Sequence, residues 1–238
     1  MTEQAANSQE DRTKQDERAD RILDVASSLI LRYGYKKTTI DDIAREAGVA
    51  KGTIYLHWKT KDDLFLSLLM REKIRGARMV EQEMSRDPDG NTLHGMMKYS
   101  LLMLLKHPLL RSAVLQDADI LGELTQKELA RTGIEEQLTA FYGLLEFFRK
   151  HELIRQDHPI QTQIYLLEAL SIGFLMADKF LPEEFQVSSE EKALLMAETV
   201  KRTFALRNPT SDEQDNTLQQ LHHVVDLAEK YMKKERTE

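Results

Sequence analysis

Cysteine is absent from the 238 residues, which excludes disulfides and thiolate metal sites and makes a reducing cytoplasm the expected location. Proline is scarce, and Pro88, Pro108, Pro159, Pro182 and Pro209 fall between periodic runs, where they punctuate the chain. Long hydrophobic runs are missing too. The most apolar window, Ile164–Ala177, has 14 residues and contains Glu168 and Ser171, so it reads as a buried helix and no membrane contact is expected. The first 20 residues are polar and nearly half charged, unlike a secretory signal. No serine stands on a nucleophile elbow and no glycine-rich loop could cradle phosphate, so the chain does not read as an enzyme. His222 and His223 point about 100° apart on a helix, and His94, His107, His151 and His158 have no i, i+4 pairing. Neither a metal site nor a cofactor is expected from them.

What the chain does have is uneven charge. The net charge is −7 overall, but residues 1–20 carry −3, residues 21–80 carry +5 and residues 81–238 carry −9. A short basic module on an acidic body is the asymmetry expected when one end meets a polyanion, although uneven solvated surfaces give the same totals.

Hydrophobic periodicity is helical throughout, and the fold class expected is all-α. Residues 1–16 have almost no apolar content and are expected to be a disordered tail. Ile22, Leu23, Ala26, Leu29, Ile30 and Tyr33 form one apolar stripe, stopped by Gly34. Thr39 can cap a second, short helix with Asp41 and Asp42 in its first turn, and Gly48 ends it. Lys51 to Trp58 reads as a third helix, and Thr60 with Asp63 as a capping box opens a fourth that runs to about Met84. Further helices are expected over Asn91–Lys106, Leu109–Leu121, 124–152 (with Gly133 as an interruption), 160–180 and from Ser188 to about Leu206. Leu218, Leu221, Val224, Val225, Ala228 and Tyr231 suggest a last amphipathic helix over 212–234, which should dock on the body or extend a dimer contact. The domains expected are 17–78, 79–207, and a linker with an extra helix over 208–238.

Residues 38–65, TTIDDIAREAGVAKGTIYLHWKTKDDLF, place two short helices around a Gly-containing turn, a helix-turn-helix that can offer KGTIYLHW to a DNA major groove. Lys51 can neutralise phosphate or donate to guanine, Gly52 lets the backbone approach, and Thr53 can donate to a base edge or pack its methyl on thymine. Tyr55 and His57 reach phosphates on either side, and Lys59 and Lys61 follow at the rim. Lys61 also opens the fourth helix, whose free N–H groups favour an anion. Ile54 and Trp58, four apart, form the inward face. On spacing alone, a solvated face remains the competing reading.

The stretch 21–65 closely resembles the DNA-binding domain of the TetR family of transcription regulators. The likeness rests on Tyr33-Gly34-Tyr35, Thr38-Thr39, Ile43-Ala44, Ala47-Gly48-Val49, Lys51-Gly52-Thr53-Ile54-Tyr55, His57-Trp58-Lys59, Lys61 and Leu64, all in register. Trp58 stands where phenylalanine is usual, and Ala50 where a small hydroxyl residue is common. The resemblance implies DNA contacts that include Thr38 and Thr39, a near-palindromic double-stranded operator, repression as the commoner mode, and an N-terminal DNA-binding domain of three helices joined through a long fourth to a larger effector-binding and dimerisation domain. It implies a homodimer paired through about 160–180 and 189–206. The 160–180 helix supports this independently, being apolar almost all round, though a central helix in a monomer would be too.

The resemblance also implies a small-molecule effector bound among the middle helices. Met96, Tyr99, Met103, Phe141, Phe148 and Phe174 suit an adaptable apolar pocket and equally suit a plain core, while Asp117 could face a polar ligand or solvent. A protein of the same fold that acts as a DNA-bound scaffold for protein partners is the alternative function, compatible with the acidic body.

Overall fold

The computed structural model describes residues 2–122, 129–219, 222 and 226. Its elements are α1 (Thr2–Tyr33), α2 (Ile40–Ala47), α3 (Lys51–His57), α4 (Lys61–Arg86), α5 (Leu93–Lys106), α6 (Pro108–Val114), α7 (Ala118–Leu121), α8 (Leu129–Lys150), α9 (Ile160–Met176) and α10 (Ser189–Phe204). Among the described residues there is no strand, only an isolated antiparallel bridge between Ile154 and Ala205. The all-α expectation holds.

Local signals in the sequence set most helix starts. Thr39, Thr60, Thr92 and Ser188 each accept a hydrogen bond from the backbone N–H three residues on. At α4 both halves of the Thr60–Asp63 capping box form. Gly48 ends α2 in the left-handed region at φ 66°.

The expected disordered tail is a correction, because α1 begins at Thr2. The segment has no glycine or proline after that start, and it is rich in Ala, Glu, Gln, Arg and Lys, with Glu10 four residues before Lys14 and Glu17 four before Arg21. Those residues favour helix without needing a buried face. The helix expected over Leu109–Leu121 is two, broken at Gln116, whose φ is 51°. Gly133 does not interrupt α8; residues 123–128, part of the expected 124–152 helix, lie outside the described residues.

Two hydrophobic cores result. The first gathers Ile22, Leu23, Ile30, Ile43, Ile54, Trp58, Leu64, Phe65 and Leu68, together with Leu109 and Leu121 from beyond the boundary expected at 78. The second gathers Val80, Met84, Met96, Leu101, Leu145, Phe148, Leu167, Met196, Val200 and Phe204. Between them, on α4, Arg71 is buried with its guanidinium 2.7 Å from Asp24 and 2.9 Å from Glu72, and it donates to the Asp20 carbonyl at 2.9 Å. That cluster fastens α4 to α1.

Helix α9 with its 3-10 extension, Ile160–Lys179, is longer than the apolar window read from the sequence. An 18-residue window within these 20 residues has a mean hydropathy of at least 1.2, so the stretch is long and apolar enough by length and composition to cross a membrane, and only 17% of that window is buried. It nevertheless packs in a helical body, with Leu167 and Leu175 buried and Gln163 donating to the Arg155 carbonyl at 2.6 Å.

Residues 211–219 are helical, and the described residues beyond them lie against α4, where His222 bonds Glu81 and Asp226 pairs with Arg78. Leu221, Val224, Val225, Ala228 and Tyr231 of the expected stripe lie outside the described residues.

The α4–α5 turn is fastened by Asp87, which accepts from the Lys98 ammonium at 2.7 Å and the Tyr99 hydroxyl at 2.7 Å. Those bonds, the Lys98 one foremost, hold its carboxyl down at about 2. A depressed carboxyl stabilises the fold above its ordinary value of 3.8 and loses that contribution as pH falls through about 2. Asp87→Asn should therefore lower the melting temperature near neutral pH, and the difference from the parent should vanish in melts taken toward pH 2. A difference unchanged across that range would deny the ion pair its role.

Candidate nucleic-acid interface

Helix α3 sits on α2 through its apolar side. Ile54 is fully buried and Trp58 is 5% exposed, so the aromatic that departs from the usual phenylalanine still packs inward. With that side fixed, the 3.6-residue period turns Lys51, Gly52, Tyr55 and Leu56 outward and leaves Thr53 and His57 on the flanks. Tyr55 is 47% exposed, and nothing lies within 4 Å of where a Gly52 side chain would start. Ala50 offers no side-chain cap to α3, as its side chain dictates.

The expected contact residues divide into three groups. Lys51, Gly52, Thr53, Tyr55, His57 and Lys59 share the outer surface of α3 and its exit. Lys51 is not free there, because it pairs with Asp41 at 2.9 Å, and that hydrogen bond raises its pKa. Thr39 is exposed, but its hydroxyl is occupied as the α2 cap and donates to the Asp42 carboxylate at 2.6 Å. Thr38 is a correction. It is 1% exposed and its hydroxyl donates to the Gly34 carbonyl at 2.9 Å, so it braces the α1–α2 turn and does not face a ligand.

Lys61 has a double position. Its ammonium donates to the Tyr35 carbonyl at 2.6 Å and lies 3.9 Å from the Tyr35 ring centroid. Burial pushes its pKa below the ordinary lysine value. The Tyr35 hydroxyl in turn donates to Asp62, and the Tyr35 N–H donates to the Ile120 carbonyl of α7 at 2.8 Å. Gly34 has φ 77°, and a side chain there would start 2.5 Å from the Asp119 carbonyl oxygen. This is the junction between the helix-turn-helix and the body, and Lys61 holds it.

The residues expected around an effector are dispersed over the second core. Met96 and Phe148 are buried in it, and Tyr99, Met103, Phe141 and Phe174 pack against it. Tyr99 is engaged with Asp87, and Met103 sits 3.0 Å from where a side chain on Gly76 of α4 would start. Asp117 is a correction, since its carboxylate caps α7 by accepting from the Asp119 and Ile120 N–H groups. Of these residues, Phe148 lines a narrow space of about 10 Å³ with His94, Leu153, Val200 and Phe204, room for one water-sized sphere. A larger open recess of about 760 Å³ lies elsewhere, between Arg78, Glu81 and Gln82 of α4 and Leu218, Gln219 and His222. The residue that the sequence reading missed is Leu56, 82% exposed on α3; its position four after Gly52 and opposite Ile54 was the available signal.

Comparison with known proteins adds to this geometry. Residues 22–68 match the family model described as bacterial regulatory proteins, tetR family. The HTH-type transcriptional regulator AcrR of Shigella flexneri is 24% identical over 217 residues, covering 85% of this chain and 99% of that protein. Among solved structures, NalD, the secondary repressor of the MexAB-OprM multidrug efflux pump in Pseudomonas aeruginosa, superposes with a TM-score of 0.58 at 22% identity, covering 81% of this chain and 98% of that one. A SmeT–triclosan complex superposes at 0.53 with 19% identity, covering 82% and 96%. The solved structures establish the shared fold.

Lys61→Ala should lower stability by about 0.5–1.5 kcal/mol in thermal or urea denaturation, the net worth of the lost hydrogen bond. Lys51→Ala should leave stability within about 0.5 kcal/mol of the parent, as at other exposed positions. Equal effects of the two substitutions would show that Lys61 carries no structural load.

Proposed function

We propose that this chain, a member of the TetR family of bacterial regulatory proteins, binds a near-palindromic DNA operator as a homodimer and is released from it by a small-molecule effector. The chain is a regulator and not an enzyme, in keeping with its relatives. The observation that carries the reading is α3 and its exit, where Ile54 and Trp58 are sunk in the first core while Lys51, Thr53, Tyr55 and Lys59 are left on the outer side. Thr53 reads a base edge, Tyr55 and His57 take flanking phosphates, and Lys51, Lys59 and Lys61 neutralise backbone charge.

The homodimer is supported by what α9 and α10 leave uncovered. Tyr165 is 72% exposed, Ile172 42%, Leu194 57% and Leu195 42%, all on these two helices. A second copy offering the same pair across a two-fold axis covers both faces, and it sets the two recognition helices to meet successive major grooves about 34 Å apart. The uncovered apolar side of α9 is thereby assigned to protein rather than lipid, and the dimer acts in the cytoplasm, where its DNA is.

The effector reading rests on the composition of the second core. Methionines and aromatics such as Met96, Met103, Phe141, Phe148 and Phe174 can re-pack around an apolar guest. The guest shifts DNA affinity only through its differential affinity for two tilts of α4. Repression is the mode proposed.

Selection of bound duplexes from random DNA should enrich a near-palindrome. Salt-sensitive binding without any enriched sequence would overturn the reading in favour of a DNA-bound scaffold. Leu194→Glu should give a monomer in analytical ultracentrifugation and weaken binding to the selected duplex by about 10²-fold or more, since the second half-site is then no longer linked to the first. A Leu194→Glu protein that stayed dimeric would move the interface elsewhere.

A further inference from the structure

We infer that Leu56 is a specificity-determining residue, which reads the C5-methyl group of a thymine in the major groove. This deepens the DNA-binding reading and rests on it. Leu56 is 82% exposed, more than Phe180 at 78% or Tyr165 at 72%, and it is the apolar member of the outward surface of α3 beside Lys51 and Tyr55.

Its placement follows from the helix period. Ile54 marks the buried side at 0% exposure, and residues two before and two after it, Gly52 and Leu56, fall opposite. Side chains on a helix lean toward its N-terminus, so Leu56 leans over the turn that carries Gly52. A side chain at Gly52 would meet nothing within 4 Å, so that turn is open space. The outermost part of α3 is therefore a bare backbone notch with a branched apolar group beside it.

The chemistry of the groove identifies the partner. Donors and acceptors line the base edges, and a Leu side chain can satisfy neither. The apolar feature that a base pair presents in the major groove is the thymine methyl. An exposed Leu there gains by removing its own surface and that methyl from water together. The Thr53 methyl is the other group on α3 that can meet a thymine methyl, but Thr53 lies half-buried on the flank whereas Leu56 stands on the outermost side, so loss of sensitivity on changing Leu56 separates the two.

The test uses the full-length protein and the duplex obtained by selection, with each thymine replaced in turn by deoxyuridine, which removes only the methyl. At one thymine in each half-site, the replacement should weaken binding of the parent by about four-fold, the worth of one buried methyl-sized group. Leu56→Ala should bind the unmodified duplex more weakly by a similar factor and be indifferent to deoxyuridine at that position, with an unchanged salt slope because no phosphate contact is lost. Leu56→Gln, which keeps the length and loses the apolar surface, should behave likewise. If the parent binds the selected duplex specifically but no thymine is methyl-sensitive, or if Leu56→Ala keeps the full sensitivity, Leu56 does not read a methyl while the operator reading stands. If the parent prefers no duplex over a scrambled one, both fall.

Discussion

Helix α4 buries Leu64, Phe65, Leu68 and Leu69 in the first core and Val80 and Met84 in the second, with Arg71 bound to α1 between them. Each such apolar side chain stabilises by about 1.5–3 kcal/mol when fully buried, so the helix is anchored in both cores, by four such side chains at one end and two at the other. Neither core can release it alone. The 26 residues span about 39 Å without a break, so a displacement at one end reaches the other as tilt or translation. Tight packing at Gly76, against Met103 and Leu110, adds a fulcrum where α4 meets α5 and α6.

Removing Arg71's partners would leave a charge with 5% of its side chain exposed, whereas an apolar replacement for the whole cluster would be far less costly. The cluster is thus better understood as fixing which face of α1 meets α4 than as a source of net stability. Asp20 and Asp24 stay substantially exposed, so water screens the outer half of the network while the guanidinium remains in the interior.

Much of the architecture was legible in the sequence because its signals are local. Caps at Thr39, Thr60 and Ser188, stops at Gly34 and Gly48, and the inward pair Ile54–Trp58 each depend on a few neighbouring residues. The failures share the opposite cause. Thr38 and Thr39 are adjacent and chemically identical, and only the fold of the α1–α2 turn decides that one is buried against Gly34 and the other exposed. Asp117 looked free for a ligand because the helix it caps is too short to show a period. Lys61 was legible as a cation at a helix start, but its bond to Tyr35, twenty-six residues earlier, was not. The tail of α1 was misread because burial was used as the criterion for helix, and propensity alone can extend one already nucleated.

The hydrogen bond from the Tyr35 N–H to the Ile120 carbonyl joins the DNA-reading part to the body through main-chain atoms only. Side-chain replacement cannot delete such a bond, short of proline at position 35. Exchanging the side chains at positions 35 and 120 therefore leaves this donor and this acceptor in place. The joint is in this sense a standard fitting, specified by the path of the main chain and not by the side chains carried at its two ends.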